Sequence, residues 1–245
     1  MSTALLIEHE GGGGLAEKGG IQDDFMYNSN VAGSQLYIRM GFLRKVYGLL
    51  SVQLLVTTVV AGTFAYTPVL RDTIHSNPWM LILCLPLSIG LLMALHYKRH
   101  QVPMNFILLG AFTVVEAITV GVAVSMYDAQ AVIKAASLTL IITGGLTAYT
   151  FQTKRDFSHW GAGLFLGLLF LIGLGFLNVF VGSNSMEMLM AGGGALLFSL
   201  FIVFDTQMMM QKLSAEEYIL ATITLYLDIL NLFLELLRLF GDRKG

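Results

Sequence analysis

The chain has 245 residues, of which 56% are hydrophobic and 12% charged, with a net charge of −2. Soluble domains usually carry about 25% charged residues, so this composition excludes a water-soluble protein and indicates an integral membrane protein with one membrane domain. The near-neutral charge offers no basic surface to nucleic acid. The single cysteine, Cys84, excludes an intrachain disulfide and a cysteine metal cluster.

Residues 1–35 differ from the rest of the chain. They contain the Gly- and Glu-rich stretch "EHEGGGGLAEKGG", which has no apolar periodicity and predicts a disordered tail. The stretch lacks the basic start and apolar core of a cleaved signal peptide. We therefore divide the chain into a disordered tail at 1–35 and a membrane domain at 36–245, whose first helix would act as the targeting signal.

Seven apolar runs follow the tail, and each has roughly the 20 residues that a transmembrane helix needs. Backbone polar groups must be paired internally in lipid, so the runs predict an all-α, seven-transmembrane-helix bundle. The alternating segments of a membrane β-barrel do not occur in the sequence. The predicted spans are 46–66, 79–97, 105–126, 131–151, 160–181, 187–209 and 218–240.

The lysines and arginines of the loops predict the orientation of the bundle. The loops opposite the tail carry Arg71, with Lys134 just inside the fourth span, so we expect a cytoplasmic N-terminus. Seven full crossings would place the end of the chain outside the cytoplasm, but the basic residues at the end of the seventh span favour the cytoplasm. Two alternatives therefore stay open: the seventh segment crosses fully, or it re-enters and returns. The tail-side residues are Lys18, Arg39, Arg44, Lys45, Lys98, Arg99, Lys154, Arg155 and Lys212; those at the end of the seventh span and beyond it are Arg238, Arg243 and Lys244.

Glycines punctuate the fifth and sixth spans. Gly163 and Gly167 stand four residues apart, and "AGGGA" occupies 191–195. Small residues at such spacing predict close helix packing. A nucleotide-binding loop would need a preceding strand, and none is predicted here.

A stripe of polar residues runs along the predicted seventh helix. Its members are spaced by four, three, four and three residues, so they share one helical face. The other faces carry Leu, Ile and Phe, so we expect this helix at the centre of the bundle with the stripe turned away from lipid. The stripe consists of Thr224, Asp228, Asn231, Glu235 and Arg238.

Two further acids fall within predicted spans, Asp205 in the sixth and Glu116 in the third. A charge at the bilayer centre costs about 2.5–3.5 kcal/mol, so these acids need partners. At about 1.5 Å per residue, Asp205 lies about 10 Å and Asp228 about 16 Å from the cytoplasmic face. A tilt, a longer loop or a bridging water would bring them together. Two neighbouring buried carboxyls titrate as a coupled pair, which predicts a shared proton that switches with pH.

Lys98 and Arg99 end the second helix on the same cytoplasmic side. The length of a basic side chain there predicts a latch in which one of these cations pairs with Asp205. Other interpretations stay open: Asp205 is only a polar residue near a helix end, or Glu235 and Arg238 are interfacial residues that reach the lipid headgroups.

Several motifs resemble the transmembrane Bax inhibitor motif family. They are "FDTQ" in the sixth span, "LYLDILNLFLELLRLFG" in the seventh and "TKRDFS" after the fourth. The stretches "DDFMYNSNVAGSQLYIRMGFLRKVY" and "KLSAEEYILA" resemble its Lifeguard-4 branch, the Golgi anti-apoptotic proteins. The likeness covers residues 22–241.

This resemblance implies a pH-sensitive calcium leak from intracellular stores and protection from apoptosis. It implies an aspartate pair at Asp205 and Asp228, and it matches Arg99, or Lys98, to a basic residue at the end of the second helix. The family commonly has Tyr where Phe204 precedes the first aspartate. Golgi placement, with the endoplasmic reticulum as the alternative, follows from the resemblance alone.

The favoured hypothesis is therefore a non-enzymatic calcium leak channel without a cofactor. Calcium prefers oxygen ligands, and acidic pore residues select cations, so Asp205, Asp228 and Glu116 are candidates for transient calcium contacts. The expected partners are membrane lipid, calcium ions and apoptosis-regulating or calcium-release membrane proteins. Alternatives are a proton-coupled exchanger, a non-conducting scaffold, and an intramembrane aspartyl protease, whose "GxGD" and "PAL" motifs the sequence lacks.

Overall fold

A computed structural model of the chain describes residues 36–67 and 79–241, together with Val69, Asp72 and Ser76. The described elements are all helical. The predicted tail at 1–35 lies outside the described residues, as do Arg71, Arg243 and Lys244, on which part of the predicted orientation depends.

Seven long helices and one short 3₁₀ turn make up the described chain. Six of the helices are long and apolar enough to cross a membrane, while α2 contains a shorter apolar helix, Ile82–Lys98. The helices are α1 (Leu36–Tyr66), α2 (Trp79–Lys98), α3 (Met104–Ser125), α4 (Ala129–Gln152), α5 (Gly161–Val181), α6 (Asn184–Gln211) and α7 (Tyr218–Phe240), with the 3₁₀ turn at Ser158–Trp160 before α5.

Each predicted apolar run falls on one of these helices. The largest difference is at α1, which begins at Leu36 rather than at 46. Arg39, Arg44 and Lys45 end the apolar run but not the helix, because long basic side chains are good helix formers. Hydropathy therefore marks the lipid boundary, and the helix continues beyond it.

Helix α7 lies at the centre of the bundle, as the sequence predicts. It packs against α1, α3, α4 and α6. In its apolar window 61% of the residues are buried inside the protein, against 6% in the span that contains α5. The apolar faces around its polar stripe explain this position, because each can pack against a different neighbour.

Helix α7 is also unbroken over its 23 residues. At about 1.5 Å per residue it is about 34 Å long, which exceeds the roughly 30 Å hydrocarbon core of a bilayer. A re-entrant segment would need a turn within it. The continuous helix therefore favours the full crossing over the re-entrant alternative.

Three glycines let side chains of α6 and α7 approach neighbouring backbones. A Cβ at Gly194 of α6 would lie 2.8 Å from Cγ of Glu235 on α7, and one at Gly161 of α5 would lie 2.9 Å from the ring of Phe204. Gly167 packs against Leu197 as predicted, whereas Gly163 has no atom within 4 Å of its Cβ position, so the prediction of close packing there is wrong. Gly163 lies one turn before Gly167 and is exposed, so no neighbouring side chain reaches its Cβ position.

We expect Gly194→Ala to destabilise the bundle and Gly192→Ala to stabilise it. Alanine in a helix interior normally gains about 0.5–1 kcal/mol over glycine, and nothing lies within 4 Å of a Cβ at Gly192. At Gly194 the new methyl would displace Glu235. Thermal unfolding in detergent, followed by circular dichroism, compares the two variants; a Gly194→Ala protein as stable as the Gly192→Ala protein would contradict the packing.

Candidate functional site

The carboxyl groups of Asp205 on α6 and Asp228 on α7 lie side by side. Each is within hydrogen-bonding reach of the other. Asp228 is 7% exposed, and Asp205 is half-buried beside it. At about 1.5 Å per residue, Asp205 lies about 9 Å from the C-terminal end of α6, and Asp228 lies about 15 Å from the N-terminal end of α7. Because the two side chains lie at the same depth in the bundle, α6 ends about one helical turn short of the level at which α7 begins. The six-residue link between them, 212–217, accommodates this offset.

A hydrogen bond between two carboxyl groups requires that one of them carries a proton. Two ionised carboxylates at this distance would repel each other, and low-dielectric surroundings strengthen that repulsion. A favourable contact between Asp205 and Asp228 would therefore need one proton held between them. Removing that proton would place two like charges at the α6–α7 interface.

One oxygen atom of the aspartate pair has unused hydrogen-bonding capacity. Oδ2 of Asp228 is buried without a direct hydrogen-bond partner. Thr206, next to Asp205 in the sequence, lies within hydrogen-bonding reach of Tyr47 on α1. Buried polar atoms normally bond to protein, water or an ion, so Oδ2 of Asp228 has capacity for a water molecule or a cation.

The rest of the α7 stripe divides into two parts. Thr224 and Asn231 hydrogen-bond to carbonyl oxygens of α7 itself, those of Leu220 and Leu227. Both side chains therefore stay close to the helix.

Glu235 and Arg238, in contrast, form an ionic group at the far end of α7. Nη1 of Arg238 lies 3.0 Å from Oε2 of Glu235, and its Nε lies 3.8 Å from Oε1 of Glu187 on α6. These side chains are half-buried and paired between two helices, rather than free at the headgroups. Two acids of the bundle therefore balance the charge of Arg238.

Glu116 lies in a different polar cluster, between α2, α3, α7 and α1. The hydroxyl of Ser88 donates to Glu116, and Tyr226 lies near it and shares a 2.7 Å hydrogen bond with Thr57. Within the described part of the chain, no three His, Cys, Asp or Glu side chains come close enough to hold a metal ion. Glu116 therefore does not complete a three-carboxylate site with Asp205 and Asp228, and transient calcium contacts at each acid stay a prediction.

The structure does not form the predicted latch between Arg99 and Asp205. Nη2 of Arg99 lies 3.4 Å from Oε1 of Glu217, at the start of α7, and Nζ of Lys98 lies 2.9 Å from the side chain of Gln101. The prediction is corrected for a physical reason. Glu217 lies at the same end of the bundle as the end of α2, whereas Asp205 is deeper and on a helix against which α2 does not pack extensively.

The sequence analysis missed the role of Gln207. Its side-chain carbonyl accepts from the backbone N–H of Phe157 at 2.5 Å, and its Nε2 donates to the carbonyl of Arg155 at 2.6 Å. One buried amide therefore holds the loop between α4 and α5 on α6, two residues after Asp205. Both partners of this contact lie in motifs that the sequence analysis noted, since "FDTQ" contains Gln207 and "TKRDFS" contains the loop. No local pattern in the sequence shows that the two motifs meet.

Asp156 of the same loop is a third aspartate, and it lies outside the membrane-spanning helices. The backbone N–H of Ser158 donates to it at 2.8 Å. This bond, the Ser158 hydroxyl and the nearby His159 and Lys212 hold the pKa of Asp156 below its usual value. Asp156 therefore stays ionised near neutral pH and is unsuited to sense pH changes there.

Comparison with known proteins agrees with this arrangement. Residues 39–245 match the family described as inhibitor of apoptosis-promoting Bax1. The chain belongs to the Bax inhibitor family. It is 49% identical over 218 residues to protein lifeguard 4 of Mus musculus, across 89% of this chain and 92% of that protein. It is 47% identical over 219 residues to the Golgi anti-apoptotic protein of Vaccinia virus (strain Lister), with the same coverage.

A more distant relative extends the match beyond these two proteins. Bax inhibitor 1 of Schizosaccharomyces pombe is 39% identical over 220 residues, across 89% of this chain and 83% of that protein. This chain is thus a multi-pass membrane protein of the Bax inhibitor family, as its motifs indicate. Phe204, where the family commonly has Tyr, packs its ring on Gly161, an apolar contact that needs no hydroxyl.

We expect Gln207→Leu to loosen the loop between α4 and α5. The substitution leaves the Phe157 N–H and the Arg155 carbonyl without their partner, which costs roughly 1–3 kcal/mol. Amide hydrogen exchange at Phe157 and thermal unfolding measure the effect. The control is Gln211→Leu at an exposed position of the same helix; equal effects of the two substitutions would contradict the role of Gln207.

The position of Arg99 predicts the result of two double-mutant cycles. A half-exposed ion pair contributes about 0.2–1 kcal/mol, so Arg99→Gln and Glu217→Gln should show a coupling of that size in the free energy of unfolding. Arg99→Gln and Asp205→Asn should be additive, because the two side chains do not pair. A coupling that appears only between Arg99 and Asp205 would restore the latch.

Proposed function

We propose that this Bax inhibitor family member is a pH-sensitive calcium leak channel of intracellular membranes with an anti-apoptotic role. The observation that carries the proposal is the contact between the carboxyls of Asp205 and Asp228 inside the bundle. A shared proton at that point couples the packing of α6 against α7 to pH.

The chemistry of the stripe supports a cation as the permeant ion. Calcium is a hard ion that prefers oxygen ligands, and acidic residues along a pore select cations. The aspartate pair, the hydroxyls of Thr206 and Tyr47, and Glu235 further along α7 supply oxygen atoms. Glu116 contributes a negative charge from the neighbouring polar cluster.

The gate in this proposal is the α6–α7 interface itself. With one proton the two carboxyls attract each other, and without it their like charges repel. The two protonation states therefore favour different separations of α6 and α7. Oδ2 of Asp228, which is buried without a direct hydrogen-bond partner, provides the place where a hydrated cation would replace the lost proton.

We further propose seven crossings with the N-terminus in the cytoplasm. Six helices have the length and hydropathy to span, and α2, with 20 residues, would be the other crossing. The ionic group of Arg238, Glu187 and Glu235 accounts for one of the three basic residues that favoured a cytoplasmic end of α7. Golgi placement is supported by the relatives named Golgi anti-apoptotic protein.

The anti-apoptotic role is supported by the names of the relatives, which include Bax inhibitor 1 and Golgi anti-apoptotic protein. Apoptosis-regulating or calcium-release membrane proteins are the partners we propose. The paired aspartates also describe an intramembrane aspartyl protease, but the sequence around Asp228 lacks the glycine-rich motif of those enzymes. We therefore propose a non-enzymatic function.

We expect the wild-type protein in calcium-loaded proteoliposomes to release calcium at a rate that changes with pH. Asp205→Asn, Asp228→Asn and the double substitution should abolish that change, because an amide keeps the size of the side chain but cannot exchange the proton. Calcium efflux across a pH series, with a fluorescent indicator outside the vesicles, measures the effect.

The matched control is Asp156→Asn, which removes an exposed aspartate outside the spans and should leave the pH dependence intact. A double mutant that responds to pH as the wild type does would contradict the aspartate gate. Absent flux in all proteins, combined with retained protection of cells from apoptosis, would favour the scaffold. Cleavage of a membrane peptide, lost on Asp228→Ala, would favour the protease.

A further inference from the structure

A groove lies between α1 and α4. Its volume is about 510 Å³, which falls in the usual range of ligand pockets. Helices α1 and α4 form its walls, and they have no extensive contact with each other because each packs against α7 instead. The floor consists of Val120 and Val124 of α3 and Ile229, Leu230 and Phe233 of α7.

We propose that this groove binds one acyl chain of a phospholipid from the membrane leaflet on the side opposite the N-terminal tail. The occupant is identified by three features of the groove: its polarity, its length and its opening. None of them depends on the proposed calcium leak.

The lining of the groove is apolar and uncharged. None of the described residues that line it carries a charge. Most of its hydroxyls are turned to the backbone of their own helices: Thr58 donates to Leu54, Thr139 to Ala135 and Ser125 to Val122. Thr143 also lines the groove, and its hydroxyl is buried without a direct hydrogen-bond partner. An ion or a polar solute would still find few groups to bond, whereas hydrocarbon matches a lining that is largely apolar.

The length of the groove fits one leaflet. Along α1 it extends from Leu54 to Tyr66, which is about 18 Å at 1.5 Å per residue. Half of a hydrocarbon core of roughly 30 Å is about 15 Å. The groove begins where α1 ends and α4 begins, at Tyr66 and Ala129, and stops near the middle of the bundle. An acyl chain that enters from that membrane surface would fill it along its length.

The groove opens sideways, towards the surface that faces lipid. Its rim carries apolar side chains that are among the most exposed in the described chain, Ile133 at 61% and Leu140 at 75%. Exposed apolar surface at this depth lies against bilayer hydrocarbon, which contains no water to fill the space. An acyl chain can therefore slide in from the bilayer without leaving an apolar environment.

The groove connects its occupant to the central helix. Thr57 lines it, and the hydroxyl of Thr57 is the partner of Tyr226 on α7. Ile229 lines it directly after Asp228 in the sequence. A bound chain would therefore pack against the part of α7 that carries the aspartate.

The test uses the full chain in lipid nanodiscs with phosphatidylcholine that carries a diazirine on one acyl chain. After illumination, mass spectrometry of the peptides should find adducts concentrated on groove residues of α1 and α4. The lipid-facing side of α5, represented by Phe170 and Phe176, should be labelled more weakly, although both are 66% exposed. Equal labelling of the groove and α5 would overturn the proposal.

Gly62→Leu provides the blocking variant. Gly62 lines the groove, and a Cβ there meets no atom within 4 Å, so a leucine side chain can grow into the space. We expect loss of most groove adducts with unchanged labelling of α5. The matched control is Gly173→Leu on the exposed face of α5, whose Cβ position is also open; it should leave groove labelling intact.

Ala136→Phe fills the groove from the opposite wall, and it replaces Gly62→Leu if that variant does not fold, as judged by size-exclusion chromatography and thermal unfolding. The proposal is contradicted if a folded variant, either Gly62→Leu or Ala136→Phe, still shows the groove labelling of the wild type. Crosslinks from the groove to a second copy of the chain, in place of lipid adducts, would assign this surface to an interface between copies and would also overturn it.

Discussion

The contact between the carboxyls of Asp205 and Asp228 is the constraint on which the site depends. Two acids side by side within a membrane bundle are stable only if they share a proton or gain a cation. The same pair in water would simply ionise and separate. In the proposed channel, burial within the bundle makes the geometry of this pair depend on its protonation.

The surrounding fold holds the two aspartates in register. Helix α7 is surrounded by four neighbours, so it cannot rotate its stripe without disturbing several interfaces. On α6, Phe204 packs on Gly161 and Gln207 binds the loop at Arg155 and Phe157. These two contacts flank Asp205 along the sequence. Further along α7, Glu235 fits against Gly194 of α6. Contacts on both helices therefore hold the two aspartates in place.

Hydropathy and helical periodicity predicted much of this arrangement and missed the rest for identifiable reasons. Bilayer thickness fixes span length, so the helices could be placed; uniform apolar faces indicated that α7 is central. The latch failed because depth estimates do not show that Glu217 lies closer to Arg99 than Asp205 does. The contact of Gln207 with the loop joins residues about fifty positions apart, and the groove between α1 and α4 is a gap between helices. Neither has a local pattern in the sequence.

The most direct test of the shared proton is infrared spectroscopy of the carboxyl C=O stretch in the reconstituted protein across a pH series. The account predicts one protonated carboxyl signal that is lost in a single titration, is altered by Asp205→Asn as well as by Asp228→Asn, and is missing from the double variant. Two independent signals, each removed by only one substitution, or a signal that survives in the double variant, would contradict it.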